Sequence, residues 1–470
     1  MTNGAPSAAE TSSLRFRLSQ FRLIPRLEAY PRVVSFAQTI LGKLLLISIF
    51  AAGFARHSQR WLEVTALLVL MAALPAYRRI LLTCGTTLWA FGVSWRVGSF
   101  SQVIDTAVVL LLAGILFHAA IRFPHSWFGR RPILALFGGF AAIVLLANEI
   151  RIGGRMQSEM WKFLQVLDIY AWFIGYSLLD RNSKDRDNFT LQLGTYQPFW
   201  RRETLPYKGA AYLRRIEARN PEGLAIAQIK GVKLLAWSYI LNLVLIALGR
   251  VVHGYLGIPN YSDLLALSVQ RVSFPWYVGW ASLVSVFFEK ILTYTIWGHR
   301  AVACWRMAGF MALRNTCRPL ESRSIAEFWN RYIYYFKEFL VDFFFYPTFV
   351  RYFKRWPRLR LFAATFAAAC LGNFFCHFFL DLPSIERFGF WKALAEYDVY
   401  FFYTTVLAIG IGISQLRRRQ QRPGWIRGRL LPTSCVIGFY CILQIFDDTT
   451  RAHPIQEHFR FLAHLFNLVS

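Results

Sequence analysis

Residues 103–121 read VIDTAVVLLLAGILFHAAI, an apolar stretch with one acidic residue near its start and one histidine near its end. An α-helix needs about 20 apolar residues to cross the ~30 Å hydrocarbon core of a bilayer. Comparable blocks begin at Leu62, Pro132 and Leu430. Ordinary soluble domains seldom repeat such blocks, so the pattern predicts an all-α polytopic membrane protein.

The same criterion, applied along the chain, predicts about eleven transmembrane helices: 37–55, 62–77, 80–96, 103–121, 132–149, 162–180, 233–255, 273–296, 361–380, 398–416 and 431–446. Lys and Arg concentrate in alternate loops, among them 122–131, 297–360 and 417–429. Cytoplasmic loops of membrane proteins carry the excess of basic residues. The alternation therefore predicts a cytoplasmic N-terminus and a C-terminus on the opposite side.

The net charge and the cysteine content indicate which kinds of partner and site the protein has. The chain is 56% hydrophobic and carries a formal charge of +27. A soluble protein this basic would suggest nucleic acid, but here the basic residues lie between apolar blocks, where they face anionic lipid. We expect membrane lipids and no nucleic acid as partners. The seven cysteines contain no Cys-x-x-Cys pair, so neither a metal site nor a disulfide framework is expected.

The predicted spans divide the chain into five regions. These are a cytoplasmic or interfacial arm at 1–36, membrane helices at 37–180, an interfacial cytoplasmic loop at 181–232, a membrane core at 233–447 and a tail at 448–470. Within the loop, GAAYLRRIEAR has helical periodicity and predicts a short surface helix.

The stretch 324–350, SIAEFWNRYIYYFKEFLVDFFFYPTFV, is aromatic enough to enter the bilayer. It also carries charged residues, including Arg331, Glu338 and Asp342, which are costly against lipid. We therefore expect a re-entrant or interfacial helical segment that is buried against protein.

One histidine stands out. In CLGNFFCHFFLD, residues 370–381, His377 is surrounded by phenylalanines, cysteines and leucines. A neutral imidazole at membrane depth can act as a general base, or it can be a structural residue bonded to a neighbouring helix. His118 has a similar setting without a motif, which is more typical of a structural residue. Asp381, four residues after His377, either orients its ring or ends the helix.

Three further charged residues fall inside predicted spans. Asp168, Glu289 and Lys290 either line a polar cavity or pair with residues of other helices. Glu289 and Lys290 are adjacent and point about 100° apart, so they do not form a facing pair on one helix.

The segment SIAEFWNRYIYYFKEFLVDFFFYP, residues 324–347, is followed about thirty residues later by an apolar helix with GNFFCHFF. This pair of motifs resembles the membrane-bound O-acyltransferase (MBOAT) superfamily, in particular bacterial members that acylate envelope polymers, such as alginate acetylases and teichoic-acid D-alanyl transferases. The family pattern is roughly Ser-Ile-Ser-Glu-Phe-Trp-Arg-Arg-Trp-His, then Arg-Asp and Tyr-Ile-Pro, then Gly-x-Trp-His-Gly. The residues in register with it are Ser324, Ile325, Glu327, Phe328, Trp329, Arg331, Asp342, Pro347 and His377.

The resemblance implies an enzyme of a bacterial inner membrane that transfers a small acyl group to a hydroxyl of an exported polysaccharide or envelope glycan. Its donor would be a thioester, either acyl-CoA or an acyl carrier protein, with no bound cofactor. His377 would remove the acceptor proton. The residues expected to bind substrate are Glu327, Trp329, Asn330, Arg331 and Asp342. Other envelope-biosynthesis proteins would be partners.

Several positions depart from the family pattern. Ile333 stands where the family usually has His or Asn, Cys376 and Phe378 flank the histidine in place of Trp and Gly, and Val341 replaces the Arg before Asp342. Three alternatives stay open: a non-catalytic scaffold, acylation of a lipid or peptide, and a transporter or export subunit in which His377, Asp168 and Glu289 line a polar path.

Overall fold

A computed structural model describes residues 23–97, 100–150, 153–181, 188–196, 208–417 and 424–468. These residues form helices and no strand, apart from one isolated bridge between Glu217 and Phe310. The predicted all-α class is confirmed. Of the predicted N-terminal arm, residues 1–22 lie outside the described residues, as do 182–187 and 197–207 of the predicted loop.

The helices of the N-terminal half are α1 (Pro31–Gln38), α2 (Ile40–Ala55), α3 (Trp61–Ala73), α4 (Arg78–Val97), α5 (Phe100–Arg122), α6 (Trp127–Arg130), α7 (Pro132–Glu149) and α8 (Gly154–Asp180). They are followed by α9 (Phe189–Leu193), α10 (Ala210–Ile216), α11 (Pro221–Gly249), α12 (Tyr261–Val269) and α13 (Trp276–Met307). Helix α10 lies within the stretch predicted to form a surface helix.

The C-terminal helices are α14 (Ile325–Tyr332), α15 (Tyr334–Leu340), α16 (Tyr346–Arg351), α17 (Pro357–Phe366), α18 (Asn373–Phe379), α19 (Leu382–Phe388), α20 (Phe390–Ala395), α21 (Asp398–Leu416), α22 (Leu431–Leu443) and α23 (Ile455–Leu465). Short π-helical segments extend or join several helices, at Arg250–Tyr255, Val341–Phe345, Ala367–Gly372 and Ile426–Leu430. The 3₁₀ turns are Leu27–Ala29, Pro75–Tyr77, Pro319–Glu321 and Gln444–Phe446.

Within the described residues, six helices are long and apolar enough to cross a membrane: Phe100–Arg122, Pro132–Glu149, Pro221–Tyr255, Pro357–Phe379, Asp398–Leu416 and Ile426–Phe446. Two sharply bent helix pairs would raise the number to eight. The predicted membrane character therefore holds, but eleven spans are not reached. The predicted spans 162–180 and 273–296 lie in α8 and α13, which carry several charged residues each.

Helices α2 and α3, which cover the predicted spans 37–55 and 62–77, form a hairpin beside α11. Before the hairpin, Val34 and Ala37 pack on Ala225 and Ile229, near the start of α11. After it, the Arg78 guanidinium donates to the carbonyl oxygen of Ala218 at 2.9 Å.

The turn of this hairpin lies further along α11. Tyr239 donates a hydrogen bond to the carbonyl oxygen of Gly53, at the end of α2. The chain thus enters and leaves the hairpin near the start of α11. The turn of the hairpin lies about halfway along α11. Sharp bends flank the hairpin, 93° between α1 and α2 and 114° between α3 and the helix that follows. Helices α2 and α3 therefore form a helical hairpin, and each of the two bent pairs is either one broken span or a re-entrant element.

Helices α11 and α13 form the longest packed pair. A Cβ added at Gly231 of α11 would lie 3.1 Å from the carbonyl oxygen of Ala303 and from the Met307 side chain of α13. Small residues allow such close approach of helices, which is how membrane helices gain packing energy without a strong hydrophobic drive.

The predicted re-entrant stretch 324–350 is not one helix. It is divided into α14, α15, the π-helical segment Val341–Phe345 and α16. Its aromatic side chains pack against α7, α8 and α18 in one cluster that includes Phe137, Trp172, Phe339 and Cys376. The segment is therefore largely covered by protein.

Candidate active site

His377 lies on α18, which continues from α17 through the π-helical segment Ala367–Gly372. Such π-bulges occur frequently at functional sites because they reorient the side chains that follow. Gly372 allows the segment 324–350 to approach, since a Cβ there would lie 2.5 Å from the Phe344 ring. The sequence thus brings the two motifs, separated along the chain, into direct contact.

The His377 ring is enclosed by aromatic rings but keeps some accessible surface. Its centroid lies 4.9 Å from that of Tyr400 and 5.9 Å from that of Phe336. The flanking residues Cys376 and Phe378 are buried. Within the described part of the chain, neither nitrogen of His377 forms a hydrogen bond. An imidazole in this setting is available to exchange a proton with a ligand.

A carboxylate lies within electrostatic range of this ring. Asp447, which directly follows the 3₁₀ turn Gln444–Phe446, pairs with Lys290 of α13 at 3.0 Å. The electrostatic influence of Asp447 reaches His377 and three tyrosines, namely Tyr332, Tyr400 and Tyr403. These residues come from α13, α14, α18 and α21, so four helices converge on one polar region with aromatic walls.

Polar contacts continue from His377 along the boundary between α17–α18 and α21. Three side-chain pairs form this row: Tyr400 with Asn373 at 3.2 Å, Thr405 with Cys370 at 3.4 Å, and Thr365 with Gln415 at 2.6 Å. Hydrogen bonds between membrane helices fix their relative position. The row therefore holds the helix of His377 in register with α21.

The residues predicted to bind substrate do not lie together in the structure. Trp329 lies closest to the site, because its ring contacts Phe336 at 6.3 Å and Phe336 contacts His377. Glu327 and Arg331 instead pair with each other on α14 at 2.8 Å. Asn330 is exposed.

Glu327 also has a role at the start of α14. The Ser324 hydroxyl accepts a hydrogen bond from the Glu327 backbone N–H at 3.2 Å, and the Glu327 carboxylate accepts one from the Arg323 N–H at 3.1 Å. This arrangement closely resembles a capping box, which satisfies the free N–H groups at a helix start. The match of Ser324 and Glu327 to the family motif has a local structural cause.

Asp342 belongs to a separate ionic cluster. Its carboxylate accepts hydrogen bonds from Lys208 at 2.6 Å and from the Tyr176 hydroxyl at 3.1 Å. Lys208 also pairs with Glu338 at 2.8 Å, and Lys337 bonds to Glu338. Burial alone would lower the pKa of Lys208, but the Asp342 and Glu338 carboxylates outweigh it and raise that pKa. We call these residues the Lys208 cluster.

Ile333 has apolar surroundings in the structure. It lies between α14 and α15 and packs in the same cluster as Trp329, Phe336 and Cys376. The position is thus close to the His377 helix but offers no polar group to it.

The other charged residues singled out in the sequence are dispersed. Glu289 accepts hydrogen bonds from His253 and Ser285, each at 2.9 Å. Asp168 is buried, and among the described residues one of its carboxylate oxygens has no hydrogen-bond partner. These residues do not form one polar path with His377.

Asp381 and His118 each had two possible roles, and the structure favours one role for each. Asp381 precedes α19 and accepts hydrogen bonds from Ser384 and Tyr397. Its carboxylate also pairs with the Arg451 guanidinium at 2.9 Å. It marks the helix end, as one of its two interpretations predicted. The Nδ1 of His118 lies 2.8 Å from the Gly114 carbonyl oxygen of its own helix, which agrees with a structural role.

Sequence reasoning missed Tyr400, Tyr403 and Asp447. The two tyrosines are three residues apart on a predicted span, so they lie on one helix face. Asp447 directly follows the last predicted span. Both signals were visible, but nothing in the sequence connected them with His377.

No protein-family model matches the chain, and no curated protein matches it significantly. In the parts that the structure describes, no group of three or more His, Cys, Asp or Glu residues could hold a metal ion. The chemistry of the site is therefore argued from His377 and its surroundings.

Proposed function

We propose that this protein is an O-acyltransferase of a bacterial inner membrane, with its N-terminus in the cytoplasm. It moves a small acyl group from a thioester, acyl-CoA or an acyl carrier protein, to a hydroxyl of an exported polysaccharide or envelope glycan. The supporting observation is the His377 ring, which is accessible, lacks a hydrogen bond within the described residues and lies at the junction of the two motifs. The resemblance to MBOAT proteins supports the same reaction.

In the proposed reaction His377 is the general base. One imidazole nitrogen accepts the proton of the acceptor hydroxyl while its oxygen attacks the thioester carbonyl. The C–O bond forms and the C–S bond breaks, and the proton passes from the imidazolium to the departing thiolate. Acyl transfer then needs no covalent intermediate on the protein.

The surroundings of His377 fix the position of its ring. Tyr400 packs on the ring and is itself held by Asn373. Phe336 lies against the ring as well, with the two ring centroids 5.9 Å apart. Aromatic contacts thus position the imidazole, and among the described residues its nitrogens have no hydrogen-bond partner.

The test replaces His377 with Ala and measures ester content of the envelope polymer in cells. Because a positioned general base contributes about 10²- to 10⁴-fold, we expect the transfer rate to fall by at least about a hundredfold. His118→Ala is the matched control, since that histidine lies on another apolar helix. If H377A is stably inserted and acylation is unchanged, the catalytic assignment is wrong.

The alternatives receive less support. A transporter path through His377, Asp168 and Glu289 is not favoured, because the Glu289 carboxylate is already paired with His253 and Asp168 is buried. A non-catalytic scaffold has its best support in Ile333. Replacing Ile333 with His tests that position: increased ester formation would show that the missing polar group limits the reaction.

A further inference from the structure

The turn of the α2–α3 hairpin carries a group of basic residues. We define the hairpin tip as residues 56–60, RHSQR. The His57 ring lies 4.6 Å from the ring of Tyr239 on α11. Arg300 of α13 is close enough to act electrostatically on both His57 and Tyr239. The hairpin tip therefore meets the α11–α13 pair at a positively charged site.

Three donor atoms at this site are buried and have no hydrogen-bond partner among the described residues. They are Nε2 of His57, Nη1 of Arg60 and Nε of Arg300. Within the described residues, Arg56, Arg60 and Arg300 form no ion pair with a carboxylate. Glu63, the acidic residue closest in sequence, is exposed on α3 and forms none either. Arg60 lies over the Trp89 ring at 3.7 Å, which fixes its guanidinium but does not neutralise it.

Leaving these charges without a partner is expensive. A buried cation costs free energy unless a negative charge compensates it, and in membrane proteins such a cation usually marks a binding site. The protein itself supplies no anion there among the described residues.

We propose that the hairpin tip and Arg300 bind the phosphate group of an anionic ligand. Guanidinium N–H groups and an imidazole match the several oxygens of a phosphate. Two exposed apolar side chains border the site, Leu62 just after the hairpin tip and Trp297 one turn before Arg300. This rim fits a phosphate carried by an amphiphile. The site does not depend on the chemistry of His377.

The experiment uses the full chain, purified and placed in nanodiscs of phosphatidylcholine with a minor fraction of phosphatidylglycerol. Native mass spectrometry measures how much phosphatidylglycerol stays bound. The variants are Arg300→Gln and Arg56→Gln, and the control is Arg355→Gln, an exposed arginine elsewhere. Wild type and the control should retain phosphatidylglycerol over phosphatidylcholine, while each site variant should lose about tenfold in apparent affinity.

A second arm separates lipid from soluble phosphate. Inorganic pyrophosphate is added to the same proteins in detergent, and the unfolding temperature is measured. A pyrophosphate-dependent rise in wild type that R56Q and R300Q lose would assign the site to a soluble phosphate ester. If R300Q fails to fold, Arg300→Lys and R56Q replace it in both the lipid-binding and the pyrophosphate measurements. The proposal is overturned if neither probe distinguishes the site variants from R355Q.

Discussion

The Lys208 cluster and the His377 site lie on the two sides of the broken segment 324–350 and differ in how their polar atoms are satisfied. In the Lys208 cluster the Lys208 ammonium contacts both Asp342 and Glu338, and Tyr176 adds a further bond to Asp342. At His377 the imidazole has ring contacts but no hydrogen bond within the described residues.

This difference separates stability from reactivity. A buried charge whose partners are all in place stabilises one arrangement of the helices, and removing one partner leaves the others uncompensated. A polar ring without a partner contributes little to folding but is free to bind and exchange a proton. The contrast explains why Asp342, although it matches the family motif, lies in a structural cluster.

The strongest test of this comparison is the Lys208→Ala substitution. It leaves Asp342 and Glu338 partly buried without their shared cation, so the free energy of unfolding should fall by about 3 kcal/mol. Thermal unfolding in detergent would measure the loss. Lys162→Ala is the control, because its pair with Glu159 is exposed to solvent and should leave the unfolding temperature almost unchanged when it is removed.

The same measurement on H377A sharpens the comparison. Because the ring has no hydrogen bond to lose within the described residues, we expect a smaller loss than in K208A, caused mainly by the missing contacts with Tyr400 and Phe336. A loss in H377A equal to that in K208A would contradict the distinction between the two regions.

A smaller effect is expected for Tyr400→Phe. The substitution keeps the ring against His377 and removes the hydroxyl that donates to Asn373, so it should cost about 1 kcal/mol of stability. Unfolding in detergent reports this loss, and the acylation assay reports whether the position of His377 depends on the bond. Asn373→Leu should give a similar result, and a stability gain in Y400F would show that the bond is not formed.

The smallest effect is expected for Arg331→Gln. Arg331 pairs with Glu327 four residues earlier on α14, a partly exposed pair that contributes about 0.5 kcal/mol. We expect acylation within about twofold of wild type, measured as polymer ester content. A large loss of acylation with unchanged stability would instead return Arg331 to the substrate-binding residues.

Part of the fold was predictable from local sequence. The apolar blocks predict helices because a helix in lipid satisfies its backbone hydrogen bonds within the same segment. Only the apolar character of neighbouring residues is needed for that prediction. The stretch 103–121 is accordingly a helix long enough to span, Phe100–Arg122. The surface helix at 210–216 follows equally from local periodicity.

The count of spans was less predictable. The stretches 37–55 and 62–77 lie in two sharply bent helix pairs, and the number of spans reaches eight only if each pair is taken as one span. Apolar composition predicts that these helices are stable in lipid. Their bends and their contacts with α11 are set by packing between segments distant in sequence.

The sequence by itself determined an all-helical membrane protein and singled out His377 as a titratable ring in apolar surroundings. Only the tertiary structure decided its neighbours: Tyr400 and Phe336 pack on the ring, and Asp342 lies in a separate cluster with Lys208. The physical reason is the distance along the sequence over which each interaction acts. Helix formation and membrane partition follow from neighbours along the chain, whereas the partner of a polar side chain is fixed by packing between helices distant in sequence.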